Sequence, residues 1–157
     1  MMTILSAVHR AVFFFLPLVM FFSSSAQAAE STLIELTQVP CQFLESEKGI
    51  NHGFASQQLA DCVAINEKTQ KARLAKANIL RLAAGSYTFR VINKNVPYEL
   101  GFWLRGDGLI NRARLPSVSG GGIKTASHRD YEIELKAGKY VYSCPLNNTP
   151  DYTLVVK

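Results

Sequence analysis

The chain has 157 residues, three cysteines and a formal net charge of +5 at neutral pH. This length is enough for one domain with its own hydrophobic core. The charge is modest and no aromatic–basic motif accompanies it, so nucleic-acid binding is excluded as a function. The sequence contains no spaced Ser/His/Asp set, no paired acids and no phosphate-binding loop, and we therefore do not predict an enzyme.

The first 28 residues have the three-part pattern of a removable signal peptide. Arg10 precedes an apolar run at residues 11–22, and residues 26–28, Ala-Gln-Ala, form a small-residue cleavage site. The apolar run is shorter than the about 20 residues of a membrane-spanning helix, and Pro17 interrupts it. The sequence therefore predicts export, favouring a bacterial periplasm, and a mature single domain at residues 29–157 without a membrane span.

All three cysteines follow the signal peptide, and their odd number leaves one unpaired. Cys41 is the first residue of an insertion at residues 41–77, and Cys62 lies within it. The segment between the two cysteines has weak strand character. Part of it fits one face of a short helix, and residues 67–77 suit an exposed helix or a loop. A disulfide between Cys41 and Cys62 would fix this insertion and stabilise the fold by about 3 kcal/mol in the chain-entropy model. We predict that disulfide, which leaves Cys144 free.

Most of the remaining chain alternates apolar and polar residues with the period of half-buried strands. The alternating segments are residues 33–39, 86–93, 99–105, 130–136, 139–144 and 152–157, and residues 78–82 are a weaker candidate for a seventh. Residues 106–124 contain a proline and a run of three glycines, which predicts a long flexible loop. This number of short strands predicts an all-β protein, an antiparallel β-sandwich.

Two segments resemble the cupredoxins. Residues 138–147, GKYVYSCPLN, followed by a last strand at 152–156, resemble the family's C-terminal signature of a strand ending in cysteine and a short ligand loop. Residues 89–98, FRVINKNVPY, resemble the strand and loop that lead to the first histidine ligand. The resemblance implies a Greek-key, cupredoxin-like sandwich carrying the helical insertion near its N-terminus.

The histidine ligands of blue copper proteins are replaced at the matching positions. A type 1 copper site uses two histidines, one cysteine and a weak axial ligand that is often methionine. Here Tyr98 and Glu99 stand at the first histidine position, Asn147 or Asn148 stands at the second, and no methionine follows residue 28. These replacements exclude a conventional type 1 copper site.

Residues 98–103, YELGFW, and residues 144–146, CPL, are similar to the cupredoxin-like domain of periplasmic iron-uptake proteins of the EfeO type. In those proteins a carboxylate and the cysteine are implicated in binding copper or iron. The resemblance implies Cys144 and Glu99 as metal ligands, and Asn147 can add a carbonyl oxygen. The alternatives are a small buried apolar Cys144, a surface Glu99 turned outward by strand alternation, and a turn-forming Asn147.

Two functions follow from these observations. The first is a periplasmic protein that binds copper or iron for carriage, delivery or electron transfer, with a periplasmic or inner-membrane redox or metal-transport partner. The alternative is a metal-free interaction module for a periplasmic or membrane partner. For such a module the expected partner contacts are an exposed tryptophan and its basic neighbours: Trp103, Arg105, Arg112 and Arg114.

Overall fold

The computed structural model describes residues 30–157, so the predicted signal peptide at residues 1–28 lies outside the described residues. The described part contains nine strands: β1 (Thr32–Val39), β2 (Gln42–Phe43), β3 (Leu80–Leu82), β4 (Gly85–Asn93), β5 (Leu100–Gly106), β6 (Val118–Ile123), β7 (Ser127–Leu135), β8 (Gly138–Ser143) and β9 (Tyr152–Val156). It also contains two α-helices, α1 (Leu59–Leu74) and α2 (Gly108–Arg114), and two short 3-10 turns, Glu45–Glu47 and Pro145–Asn147. Each predicted strand segment corresponds to one of these strands.

The strands form two sheets, with the orders β2-β1-β4-β7 and β3-β9-β8-β5-β6. The chain crosses from the first sheet to the second at β3 and returns at β4. It then crosses again for β5 and β6, returns at β7 and ends in the second sheet with β8 and β9. The all-β sandwich is therefore confirmed. Its sheets are mixed rather than purely antiparallel, because β1 pairs with β4 and β3 pairs with β9 in parallel. Parallel pairing needs a long crossover between the two strands, and the insertion supplies it between β1 and β4.

The inward side chains of both sheets build a core rich in aromatic rings. Phe102 of β5 lies at its centre and is 1 % exposed. The rings around it have centroids 5.2–6.3 Å from its own and belong to Phe43, Phe89, Tyr131 and Tyr142. Burial of each such apolar side chain contributes about 1.5–3 kcal/mol to the stability of the fold. The inward positions of the alternating segments are therefore the positions that form the core.

The insertion is tied to the sandwich by the predicted disulfide. Cys41 and Cys62 are bonded, with their Cα atoms 5.0 Å apart and 21 positions apart in sequence. The helical part is longer than the predicted short helix, because α1 continues to Leu74. It therefore includes most of residues 67–77, for which the sequence predicted either an exposed helix or a loop. The Asp61 carboxylate accepts the backbone N–H groups of Gln57 and Gln58 at 2.8 and 3.1 Å, which fixes the start of α1.

A buried ion pair also joins α1 to the rest of the insertion. Nη2 of Arg73 lies 2.6 Å from Oε1 of Glu47, and both side chains are less than a tenth exposed. The Tyr152 hydroxyl of β9 donates to the same carboxylate, and Nε2 of His52 lies 2.7 Å from its Oε2. Burial alone raises the pKa of Glu47, but the hydrogen bonds from Arg73 and Tyr152 and the charge of Arg73 outweigh burial, so the pKa of Glu47 is lowered.

This lowered pKa predicts a loss of stability in acid. A carboxyl group with a lower pKa in the folded state adds stability above its unfolded value of about 4.5, and that stability is lost as pH falls through the folded pKa. The free energy of unfolding, measured by urea denaturation, should therefore fall steadily below pH 4.5. In Glu47→Gln that fall should be shallower. An identical pH dependence in the variant would show that Glu47 does not contribute.

Residues 106–124 differ from the predicted flexible loop, since they hold α2 and β6. Glycines in and beside this segment permit close packing. The Gly120 carbonyl oxygen would lie 2.7 Å from a Cβ atom on Gly101 of β5, and a Cβ on Gly120 itself would lie 3.1 Å from the Tyr131 ring. A Cβ on Gly106 would lie 2.3 Å from the backbone of Asn111 in α2. The glycine run therefore marks tight packing, which composition alone cannot distinguish from flexibility.

Within residues 30–157, no helix is both long enough and apolar enough to cross a membrane.

Candidate functional site

The predicted ligand Cys144 follows β8 and lies in the core of the sandwich. Its side chain is fully buried, and the backbone N–H of Gly101 in β5 donates to its Sγ over 3.3 Å. Its own N–H donates to Oγ1 of Thr149 at 2.8 Å. Burial raises the pKa of the Cys144 thiol, and the Gly101 N–H only partly opposes this. The sulfur is therefore a neutral thiol at neutral pH, whereas a metal binds the thiolate.

The predicted ligand Asn147 connects the loop after β8 to the turn between β1 and β2. Its side chain is fully buried, and Oδ1 accepts the backbone N–H of Cys41 at 2.9 Å. Its Nδ2 donates to the Val39 carbonyl at 2.9 Å and to Oε1 of Gln38 at 3.3 Å. The amide thus holds the turn that carries the disulfide, and its oxygen is already engaged by a backbone donor.

The predicted ligand Glu99 precedes β5 and is exposed. Its Oε1 accepts the backbone N–H of Gly122 in β6 over 2.9 Å. The carboxylate therefore joins the start of β5 to the edge strand from the outer side. This placement follows the strand alternation, in which Leu100 and Phe102 are the buried neighbours.

The three predicted ligands do not form a metal-binding group as they stand. In the part of the chain that the structure describes, no three His, Cys, Asp or Glu side chains cluster closely enough to hold a metal ion. Cys144 is a buried thiol, Glu99 is exposed, and the oxygen of Asn147 is engaged with Cys41. This arrangement does not fit copper or iron, so neither cofactor is confirmed, and metal binding by these residues stays a prediction.

Two further buried amides organise this end of the sandwich, and we did not single them out from the sequence as site residues. Gln38 of β1 donates from Nε2 to the Gly101 carbonyl at 2.9 Å. Asn93 of β4, its partner across the parallel ladder, donates from Nδ2 at 3.1–3.2 Å to three backbone carbonyls, those of Val96, Tyr98 and Ile123. Both are polar residues at buried strand positions. A polar residue at an inward position of a strand indicates a buried hydrogen-bonding role, and this pattern could have identified both residues in the sequence.

The predicted partner contact Trp103 lies on the outer face of β5, opposite to Phe102 as expected. It is partly exposed, and the guanidinium carbon of Arg105 is 4.0 Å from its ring centroid. The guanidinium carbon of Arg112 in α2 is 5.7 Å from the same centroid. The structure therefore brings three of the four predicted partner residues together around one ring.

Arg105 itself is buried and is not presented at the surface. It donates two hydrogen bonds to the Asp151 carboxylate at 2.7 and 2.8 Å and one to Oγ of Ser143 at 3.0 Å. Its side chain is only 7 % exposed. Arg105 therefore supports the Trp103 ring from beneath, and a partner would meet the ring and α2 first.

Helix α2 carries two exposed apolar side chains that we did not identify from the sequence. Leu109 is 86 % exposed and Ile110 is 72 % exposed, more than any other large apolar residue within residues 30–157. Arg112 and Arg114 follow in the same helix and are also exposed. We call these four residues and Trp103 the α2 surface.

Beside Trp103 lies a shallow depression of about 340 Å³, with walls that include Ser119, Gly120, Pro145 and Leu146.

Comparison with solved structures finds similarity to two auracyanins and to rusticyanin. Auracyanin B shares 13% identity with a TM-score of 0.48, over 86% of this chain and 95% of its own. Auracyanin A, a blue copper protein from the thermophilic photosynthetic bacterium Chloroflexus aurantiacus, shares 14% identity with a TM-score of 0.43, over 82% of this chain and 100% of its own. Reduced rusticyanin shares 18% identity with a TM-score of 0.42, over 82% of this chain and 81% of its own.

No family model matches the chain, and no curated protein matches it. The cupredoxin-like β-sandwich predicted from the sequence is confirmed by the two sheets and their strand order, and the likeness to these solved structures concerns the fold alone. The resemblance to the EfeO-type domain is not confirmed.

Proposed function

We propose that the chain is an exported, metal-free cupredoxin-like module that binds a protein partner through the α2 surface. The observation that carries this proposal is the pair Leu109 and Ile110, held almost fully exposed beside the exposed guanidinium groups of Arg112 and Arg114. Apolar side chains in such a position commonly mark an interaction site.

The backbone beneath the α2 surface is closely packed, which supports a preformed binding site. Gly106 lets the backbone of α2 lie directly against β5, where no side chain would fit. The Asp107 N–H donates to the Lys139 carbonyl of β8 at 2.9 Å, and Asn111 donates from Nδ2 to the Asp107 carbonyl at 2.8 Å. A backbone fixed in this way loses little conformational entropy on binding, so more of the burial of Leu109 and Ile110 contributes to affinity.

The chemistry of the α2 surface indicates the kind of partner. Full burial of Leu109 and Ile110 contributes about 1.5–3 kcal/mol for each side chain. That is too little to hold the chain stably on a lipid surface alone, whereas a protein pocket that buries both side chains can add contacts of its own. The adjacent Arg112 and Arg114 favour acidic groups around that pocket. We therefore expect a periplasmic or inner-membrane protein with an apolar pocket and an acidic rim.

The disulfide supports the proposed location. Cys41 and Cys62 are bonded, and such bonds form and persist in oxidising compartments. Together with the signal-peptide pattern read at residues 1–28, this favours a mature protein that acts in the periplasm.

Metal carriage through Cys144, Glu99 and Asn147 is the second candidate function. It is favoured by the position of Cys144 at the end of β8, where a backbone N–H faces its sulfur. Binding would require the buried Cys144 thiol to lose its proton, because a metal binds the thiolate. The α2 proposal needs no such change, and we therefore prefer it.

The test is partner capture with matched surface variants, followed by binding measurements with the purified partner. Leu109→Ser/Ile110→Ser removes the apolar pair, and Leu33→Ser/Ile79→Ser is the control, since those residues are 47 % and 48 % exposed elsewhere. The α2 variant should weaken the dissociation constant by about tenfold or more, and the control should not. Arg112→Glu/Arg114→Glu should weaken binding most at low salt.

Two results would overturn the proposal. One is a purified partner that binds the α2 variant and the control variant equally well. The other is binding to protein-free anionic vesicles that is lost in the α2 variant, which would assign the surface to lipid instead.

A further inference from the structure

A separate groove lies between helix α1 and the loop at residues 48–54 of the insertion. Its volume is about 730 Å³, within the range of about 300–1,000 Å³ that is common for small-molecule sites. It shares no lining residue with the α2 surface, so an inference from it is independent of the proposed function.

The inner wall of the groove is apolar and fixed in place. Ile50 is 54 % exposed and faces the groove together with Phe54, Ala72 and Ala75. The Phe54 ring stacks on the His52 ring at a centroid distance of 5.4 Å, and the guanidinium carbon of Arg73 is 4.9 Å from its centroid. The wall is therefore held by the same buried network that anchors α1.

The charges around the groove are positive. Lys48, Lys68 and Lys76 line it and are exposed, and none of them is in an ion pair with another described residue. Glu47 is the only acid among the lining residues, and it is already engaged with Arg73 at the base of the groove. An apolar wall with uncompensated ammonium groups favours a ligand that has a hydrocarbon body and a negative headgroup.

We propose that this groove binds an anionic single-chain amphiphile of the fatty-acid type. Its carboxylate would lie at the lysine-lined rim of the groove, and its hydrocarbon chain would pack against Ile50 and Phe54. The lysines determine the sign of the headgroup, and the apolar wall determines the preference for a chain over a small inorganic anion.

The experiment is calorimetric titration of the full mature chain with dodecanoate below its micelle concentration. Dodecyltrimethylammonium serves as the probe of opposite charge. Ala72→Trp fills the groove, and Ala64→Trp is its control, because Ala64 is an exposed residue of the same helix outside the groove. Lys68→Glu/Lys76→Glu reverses the charge of the rim, with Lys136→Glu/Lys157→Glu as its control.

Saturable dodecanoate binding should weaken by about tenfold or more in Ala72→Trp and in the rim variant. Both controls should bind as the parent does, and the cationic amphiphile should bind weakly. Equal binding of the two amphiphiles, no saturable binding by the parent, or unchanged affinity in Ala72→Trp would overturn the proposal. The Leu109→Ser/Ile110→Ser variant should bind dodecanoate like the parent, so the two proposals can fail separately.

Discussion

Replacing both Cys41 and Cys62 with alanine is expected to lower the free energy of unfolding by about 3 kcal/mol. The disulfide closes a loop with a sequence separation of 21, and a cross-link of this size restricts the unfolded chain by roughly that amount. The bond also joins α1 to the turn between β1 and β2. Cys41 has a positive φ of 65° there, which is uncommon for a residue other than glycine.

Urea denaturation followed by far-UV circular dichroism measures this loss, with Cys144→Ala as the control for the loss of a buried sulfur. Hydrogen exchange should show the amides of α1 opening more often than those of β7 in the double variant. A loss below about 1 kcal/mol would mean that the buried contacts of α1 hold the insertion without the cross-link.

Arg73→Met is expected to lower the free energy of unfolding by about 3–5 kcal/mol, the typical cost of leaving one partner of a buried ion pair alone. The change would leave Glu47 buried without its cation and would remove the donors to the Cys41 carbonyl, at 3.1 Å, and to Oγ1 of Thr69, at 3.1 Å. Asn66 would also lose a hydrogen bond from Arg73.

The double variant Glu47→Gln/Arg73→Met is the matched control. It removes the charge that Arg73→Met leaves unpaired, so it should be more stable than the sum of the two single variants implies. Additive losses in this double-mutant cycle, measured by urea denaturation at neutral pH, would contradict a direct coupling between the two charges.

The fold could be predicted from the sequence wherever one face of a strand is buried. Period-two alternation located β4, β5 and β7, because inward residues such as Phe89, Phe102 and Ile133 form the core. The same reasoning failed at residues 106–124. The pairing of β6 with β5 depends on the close approach of Gly101 and Gly120, which is a tertiary contact without a local pattern.

The candidate site was only partly predictable for similar reasons. Cysteine number and spacing led to the Cys41–Cys62 disulfide, and alternation placed Glu99 outward. Alternation also placed Cys144 with the inward tyrosines of β8. The same pattern is expected for a metal ligand and for a buried thiol, so alternation could not distinguish the two roles. The exposed pair Leu109 and Ile110 was missed because it lies in a segment whose glycines indicated a loop.

Titration of the purified, disulfide-bonded mature protein with Cu(I), Cu(II) and Fe(III) distinguishes a metal-free module from a metal carrier. Cys144→Ser is titrated beside it, since Cys144 is the only free cysteine within residues 30–157. A metal-free module predicts the same weak response from parent and variant with each ion. A stoichiometric complex with the parent that is lost in Cys144→Ser and weakened in Glu99→Gln would contradict it.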